Sequence, residues 1–240
     1  MRRFFLDKSC LDRNKITISG EEHTHLAFVL RLRVGETVCI CFNDGYEYIS
    51  KIESISKQET VCSVISSDLS KNETKKDIVL FQDLIKQDNM ELVIQKATEL
   101  GVKKIIPFYS DFSQIKPEKF NIIRAQKIAK EASKQSERAQ IPLIEMPISF
   151  NEMLKTIQNY DEKIVALERV GKDNINKSIS KDATNFAVVI GCEGGFSDRE
   201  KQELLNSNIK TIYLGKRILK AETASIVTLA LVMNLTGELE

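Results

Sequence analysis

Two glycine-centred segments in the last third of the chain carry residue types from which a small-molecule cradle can be built. They are Gly191-Cys192-Glu193-Gly194-Gly195 and Gly215-Lys216-Arg217-Ile218-Leu219-Lys220. Glycine lets a backbone approach a ligand closely and present its N–H groups to it. The first segment follows a buried-strand pattern, FAVVI, and runs into Ser197-Asp198-Arg199-Glu200, a capping-box signature that opens a helix. It lacks both the GxxxxGKS/T spacing of a P-loop and the GxGxxG of a dinucleotide fold, which disfavours a phosphate cradle. The second segment follows a short strand, TIYL, and crowds five polar or charged residues, Lys216, Arg217, Lys220, Glu222 and Thr223, before an apolar helix. Taken singly, the first also reads as a tight strand-to-helix turn. The second also reads as a solvated turn capped by Thr223 or Glu222.

The elements that must position these segments follow from the apolar period. From Ile78 onward, strand-length apolar runs alternate with helical patterns. The strands are Ile78–Leu84, Lys104–Phe108, Lys163–Leu167, Phe186–Gly191 and Thr211–Leu214. One helix carries Met90, Val93, Ile94, Ala97 and Leu100 on a single face and stops at Gly101; a second carries Ile122, Ala125, Ile128, Ala129 and Ala132. Ser149 and Glu152 are placed to cap a third. Such alternation predicts a parallel sheet covered on both faces, with ligands at the carboxyl ends of its strands. Residues 1–70 are instead mostly β. Thr37–Phe42 alternates with Val38, Ile40 and Phe42 on one face, Asn43-Asp44-Gly45 marks a turn, and strands Tyr46–Ile55 and Thr60–Ile65 follow. A Ser19/Glu22 capping box predicts a helix over His23–Leu30. Several short strands in this length suggest a small barrel. Ser66–Asp77 is polar and reads as a linker.

Composition limits the partners. The net charge is +1, so any nucleic-acid contact must use local basic patches. Residues 118–138 hold six Lys or Arg against three Glu, with Lys127, Lys130, Lys134 and Arg138 away from the apolar stripe. A solvated helix face is the usual meaning of such a run. Arg2, Arg3, Arg31 and Arg33 form a second cluster, and two clusters make phosphate contact more credible. The five cysteines form no CxxC pair, and two histidines provide no zinc spacing. No metal site is expected, and the thiols suit a reducing cytoplasm. Three consecutive apolar residues near the N-terminus are too few for a signal-peptide core. The run near Ala224–Leu235, broken by Ser225, Thr228 and Asn234, falls short of the roughly 20 residues of a membrane span.

The two segments together resemble the bacterial 16S rRNA (uracil-N3)-methyltransferase family, of the SPOUT class, which reads close to GPEGGFSxxE in the first place and LGxRILRxETA in the second. The likeness extends to Arg2-Arg3-Phe4-Phe5, His25 with Val29-Leu30-Arg31-Leu32-Arg33-Val34-Gly35, Lys96-Ala97-Thr98-Glu99-Leu100-Gly101-Val102, and Glu131-Ala132 with Gln135-Ser136 and Arg138. Two positions depart from it: Cys192 stands where the family usually has proline, and Lys220 where it usually has arginine. The first loses backbone stiffness beside Glu193; the second keeps charge and loses bidentate geometry.

What the resemblance implies is an α/β chain of two domains. A PUA-like, RNA-binding β-barrel spans 1–70, and a SPOUT parallel-sheet domain with a deep trefoil knot spans 75–240. The knot rests on the resemblance alone, since chains as a rule are unknotted. S-adenosyl-L-methionine is the implied cofactor. Leu214, Gly215, Ile218 and Leu219 would wrap its adenine, Gly191, Glu193, Gly194 and Gly195 would flank it, Leu167 would be a third wall, and Thr223 and Ala224 would follow. Its sulfonium methyl is the electrophile, and N3 of a uridine in 16S rRNA the nucleophile. Glu193 or Glu222 could take the N3 proton or simply fix a loop. Arg138 and Arg217 could neutralise the uracil anion or serve as ion-pair partners. RNA contacts fall to Arg2, Arg3, Arg31, Arg33, Lys96, Lys134, Gln135 and Arg138. The implied partners are a second copy of the chain and 16S rRNA, with an assembled small ribosomal subunit its favoured form. No membrane is implied. Two other readings are a SPOUT ribose 2′-O-methyltransferase acting on rRNA or tRNA, and a non-catalytic RNA-binding protein.

Overall fold

The computed structural model describes residues 1–167, 179–180 and 182–239. The chain divides into two compact units. One is Met1–Glu73 with Ser133–Ile141, and the other is Thr74–Ala132 with Pro142–Glu240.

The first unit is a six-stranded sheet built from β1 (Arg3–Phe5), β2 (Leu11–Asp12), β3 (Lys15–Ser19), β4 (Thr37–Cys41), β5 (Tyr46–Ile55) and β6 (Glu59–Leu69), in the order β1-β4-β5-β6-β3-β2. Phe4, Ile16, Ile18, Val38, Ile40, Ile52 and Cys62 come from five of these strands and meet in one core. That convergence requires the sheet to curl. Val38, Ile40 and Phe42 face this core as their alternation predicts. Cys39 and Cys41 do not face water: with Phe5 they pack against Ala139 in a second, smaller cluster. The strip Ser133–Ile141, distant in sequence, therefore belongs to this unit. Strand β6 runs on to Leu69, so the expected linker loses its first residues to the sheet. The expected capping box also fails. Helix α1 (Gly20–Thr24) receives no side-chain bond from Ser19 and passes into a wide π-type turn over His25–Val29. Glu22 instead pairs with Lys134 at 3.1 Å.

Among the described residues, every strand pair in the second unit is parallel. Strands β7 (Asp77–Asp83), β8 (Lys104–Tyr109), β9 (Leu143–Ile144), β10 (Ile148–Ser149), β11 (Glu162–Ala166), β12 (Asn185–Ile190) and β13 (Lys210–Ile212) run in the order β10-β8-β7-β12-β11-β13, with β9 beside β8. Among the described residues, its helices are α2 (Gln87–Glu99), α3 (Ile122–Gln135), α4 (Phe150–Thr156), α5 (Asp198–Asn206) and α6 (Ala221–Leu235), the last residues of α3 belonging to the first unit from Ser133. The period of two splits the strand residues cleanly. Val79, Phe81, Ile106, Phe108, Val165, Ala187 and Val189 share a core with Phe150 and Met153 of α4 and Leu204 of α5. Ile78, Leu80, Ile105, Ile164, Phe186 and Val188 are buried on the other face, where α6 packs on β12 and α2 packs on α6. Burial on both faces explains why these strands read as continuous apolar runs. Capping boxes at Ser149/Glu152 and Ser197/Glu200 form as their spacing predicts.

The Ser133–Ile141 strip is held by charge. Arg138 is almost wholly buried, and its Nη2 donates to Glu73 Oε2 at 2.9 Å. Glu73 Oε1 also accepts the N–H groups of Ala139 and Gln140, at 2.8 and 2.9 Å. Removing one partner of such a pair strands a buried charge, typically at a cost of about 3–5 kcal/mol. Glu73→Ala should lower the urea midpoint by a loss of that order, and an unchanged midpoint would refute this role for the pair.

Candidate functional site

The carboxyl ends of the neighbouring strands β11, β12 and β13, with the loops that leave β12 and β13, line a cavity of about 720 Å³. That size suits a cofactor-like molecule. The walls are Ala166 and Leu167 at the end of β11, Ile190–Phe196 from the end of β12, and Ile212–Ala221 from the end of β13 to the start of α6, with Lys201 and Ala224. The lining is mixed: Leu167, Ile190, Leu214, Ile218 and Leu219 are apolar, while exposed Glu193, Lys216, Arg217 and Lys220 bring charge.

Local packing explains the glycines. A Cβ on Gly194 would stand 3.0 Å from Phe112 Cβ, so the loop lies against that side chain only because the position is bare. Gly215 has φ of 101°, where a side chain is strained. Gly195 N–H donates to the Cys192 carbonyl at 3.0 Å and closes the first loop.

Two fully buried carboxylates hold the loop after β12 and tie it to the loop after β8. Glu200 accepts Ser197 N–H and Asp111 N–H, each at 2.9 Å. Asp111 in turn accepts from Ser197 Oγ at 2.6 Å and from Arg199 at 3.0 Å, and these bonds hold its carboxyl below the usual range. Asp83, at the end of β7, accepts Ser110 Oγ at 2.5 Å and Cys192 N–H at 3.1 Å on Oδ2, and the Ser113 hydroxyl on Oδ1. Burial pushes the Asp83 carboxyl up to about 6, against the opposing pull of those hydrogen bonds. The Cys192 thiol is pushed up to about 11, by burial first and then by Asp83, which leaves it a poor nucleophile at neutral pH.

The structure brings most of the sequence-derived cofactor residues together. Leu167, Gly191, Glu193, Gly194, Gly195, Leu214, Gly215, Ile218, Leu219 and Ala224 all line the cavity, as does Arg217. Thr223 is exposed on α6 and Glu222 is buried in its first turn; neither lines it. Glu222 Oε1 lies 3.9 Å from Lys220 Nζ, and Oε2 is buried with no hydrogen-bond partner among the described residues. Arg138 lies in the first unit, in its pair with Glu73. Of the residues expected to meet RNA, Arg2, Arg31, Arg33 and Gln135 are exposed. Arg3 is buried and donates to Glu47 at 3.2 Å and to the Arg138 carbonyl at 3.1 Å. Lys134 is paired with Glu22, and half-buried Lys96 with Glu99 at 2.9 Å. Sequence reasoning missed Asp83 and gave Glu200 only a capping role. The signal for Asp83 was available: Gln82-Asp83 ends an otherwise apolar strand with two polar residues, and both are fully buried.

Residues 72–233 match the RNA methyltransferase domain family, and residues 18–65 match the RNA methyltransferase PUA domain. The fold is thus that of an RNA methyltransferase with an N-terminal PUA-like unit, as the resemblance implied. The chain is 32% identical to the ribosomal RNA small subunit methyltransferase E of Bacillus subtilis, over 96% of its own length and 95% of that protein. It is 33% identical to the protein of the same name from Rickettsia conorii, over 99% and 97%. A crystal structure of the Neisseria gonorrhoeae ribosomal RNA small subunit methyltransferase E bound to S-adenosyl methionine matches it with a TM-score of 0.88, at 27% identity over 98% of each chain. The chain belongs to the ribosomal RNA small subunit methyltransferase E family.

The raised Asp83 carboxyl has a signed consequence for stability. Its contribution is fully present below the ordinary carboxylate pKa and is lost as pH rises through about 6. Between pH 7 and pH 4 the wild type should therefore gain on Asp83→Asn by on the order of 3 kcal/mol in urea titrations. A stability difference that stays flat across that range would contradict the assignment.

Proposed function

We propose that this chain transfers the methyl group of S-adenosyl-L-methionine to N3 of a uridine in 16S rRNA. The observation that carries the reading is the cavity at the ends of β11, β12 and β13, lined by both glycine-centred loops, in a chain of this family. The residues present fit the cofactor. The cavity volume suits it, the Gly191–Gly195 and Leu214–Leu219 backbones can approach it closely, and Leu167, Leu214, Ile218, Leu219 and Ala224 offer an apolar surface to an adenine. When bound, the cofactor supplies an electrophilic methyl group, and no metal is required.

The chain's own contribution is positioning and charge. Holding N3 in line with the methyl removes much of the entropic barrier. Glu193 lines the cavity and is exposed at its wall, so we assign it the N3 proton. Arg217, on the opposite loop, balances the charge that develops on the uracil oxygens. Glu222 is given the role of fixing the loop that begins α6, through Lys220. Arg138, held by Glu73, has no part in this mechanism. RNA phosphates would meet Arg2, Arg31 and Arg33, with Gln135 and Lys127, all of them exposed. A homodimer, a knotted chain path, the assembled small subunit as substrate and a cytoplasmic place of action belong to the same proposal and are supported by the family resemblance. Among the described residues no helix is long and apolar enough to cross a membrane.

Incubation of the purified protein with labelled cofactor and small ribosomal subunits, followed by nuclease digestion and mass spectrometry, should yield 3-methyluridine. A 2′-O-methyl nucleoside would instead identify a ribose methyltransferase, and RNA binding without any cofactor binding a non-catalytic protein. Gly194→Val and Gly215→Leu should each weaken cofactor binding about tenfold or more by calorimetry, the first because it crowds Phe112 and the second because it strains a backbone at φ of 101°. Unchanged affinity in both would remove the cofactor from this cavity.

A further inference from the structure

Strand β7 lies beside β12, with Gln82 paired to Ile190. This register sets Asp83 level with the start of the glycine-rich loop, and Cys192 N–H reaches its Oδ2 at 3.1 Å. The two other donors to Asp83, Ser110 and Ser113, come from the loop after β8. One carboxylate with no exposure to solvent thus ties two loops together at the edge of the cavity. Ile78–Phe81 of β7 are all apolar and buried, and buried Gln82, next to Asp83, accepts Ser225 Oγ from α6, so strand packing alone gives no reason for a carboxylate at Asp83. A buried charge is tolerated only where its lone pairs are met, and both oxygens of Asp83 are met by groups that fix loops.

The Cys192 donor exists only because the residue is not proline. Proline fixes φ and has no N–H, and proline is what the resembled family usually carries at this position. Cysteine leaves the loop freer to move, and the bond to Asp83 restores a constraint at the same backbone atom. We infer that Asp83 is a positioning residue for the glycine-rich loop, acting through Cys192 N–H in place of a proline ring. The inference rests on the reading of this cavity as the cofactor site.

Calorimetric titration with S-adenosyl-L-methionine tests it across the wild type, Asp83→Val, Asp83→Asn, Cys192→Pro and the Asp83→Val/Cys192→Pro double variant, with urea unfolding of each. Asp83→Ala is carried in parallel, so that the result does not depend on valine being accepted in the strand. Asp83→Val should weaken cofactor binding about tenfold, the usual scale for an orphaned buried donor. Asp83→Asn, whose side-chain oxygen can still accept Cys192 N–H, should retain most of the affinity. In the Cys192→Pro background the same Val or Ala change should cost less than about twofold, because the two devices act on one atom. An equal loss in both backgrounds would mean that Asp83 acts on overall packing and not through Cys192, and would overturn the inference. Wild-type binding with no loss in either Val or Ala would overturn it too, leaving the cofactor reading intact. Absence of binding by the wild type would overturn both.

Discussion

A parallel sheet brings its strands to a common edge, and the backbone leaving that edge loses its ladder partners at once. Each N–H beyond the last paired residue must find another acceptor or water. Here that acceptor is repeatedly a buried carboxylate. Asp83 takes the backbone of the loop after β12 and the hydroxyls of the loop after β8; Glu200 takes Ser197 and Asp111. Placing two carboxylates out of water is costly, and the cost shows in the raised Asp83 carboxyl. What it secures is a pair of loops whose positions are set by fixed bonds rather than by apolar collapse.

The packing beneath this edge is of another kind. Strands β7, β8, β11 and β12 are apolar on both faces, between α4 and α5 on one side and α2 and α6 on the other. Such a core is stiff and close-packed, so it fixes where the strands end. The polar network then fixes where the backbone goes next. Gly194 and Gly215 fit that division: their positions are dictated by a neighbouring side chain in one case and by backbone conformation in the other. The first unit shows the same economy on a smaller scale, with Glu73 and Arg138 binding a remote strip across the outer face of the curled sheet.

Much of this was legible in the residues. The change of period at Ile78, the Ser197/Glu200 and Ser149/Glu152 caps and the two glycine loops depend on local chemistry, and each is found as read. The errors lie where distant residues intervene. Glu22 was read as the partner of Ser19, its neighbour in sequence, but Lys134 claims it. Strand alternation places Cys39 and Cys41 on the face opposite Val38 and Ile40, where a solvent-facing side is expected, and Ala139 covers them. Arg3 was counted among the RNA-facing cations, yet its guanidinium is turned inward to Glu47. In each case a contact across the sequence overrides a local pattern, and no spacing rule reports it. Asp83 belongs to the same class, for its meaning depends on strand register and on a backbone N–H in a loop 109 residues away.

The central claim is that the end of β11 and the loops after β12 and β13 form one cofactor pocket. Hydrogen–deuterium exchange of the intact chain, with and without saturating S-adenosyl-L-methionine, addresses it directly. The account predicts that cofactor-dependent protection concentrates in residues 191–196 and 212–221, with slower exchange at Cys192 already in the free protein because its N–H is held by Asp83. Protection that leaves both loops unchanged, or that appears chiefly in the first unit, would contradict it.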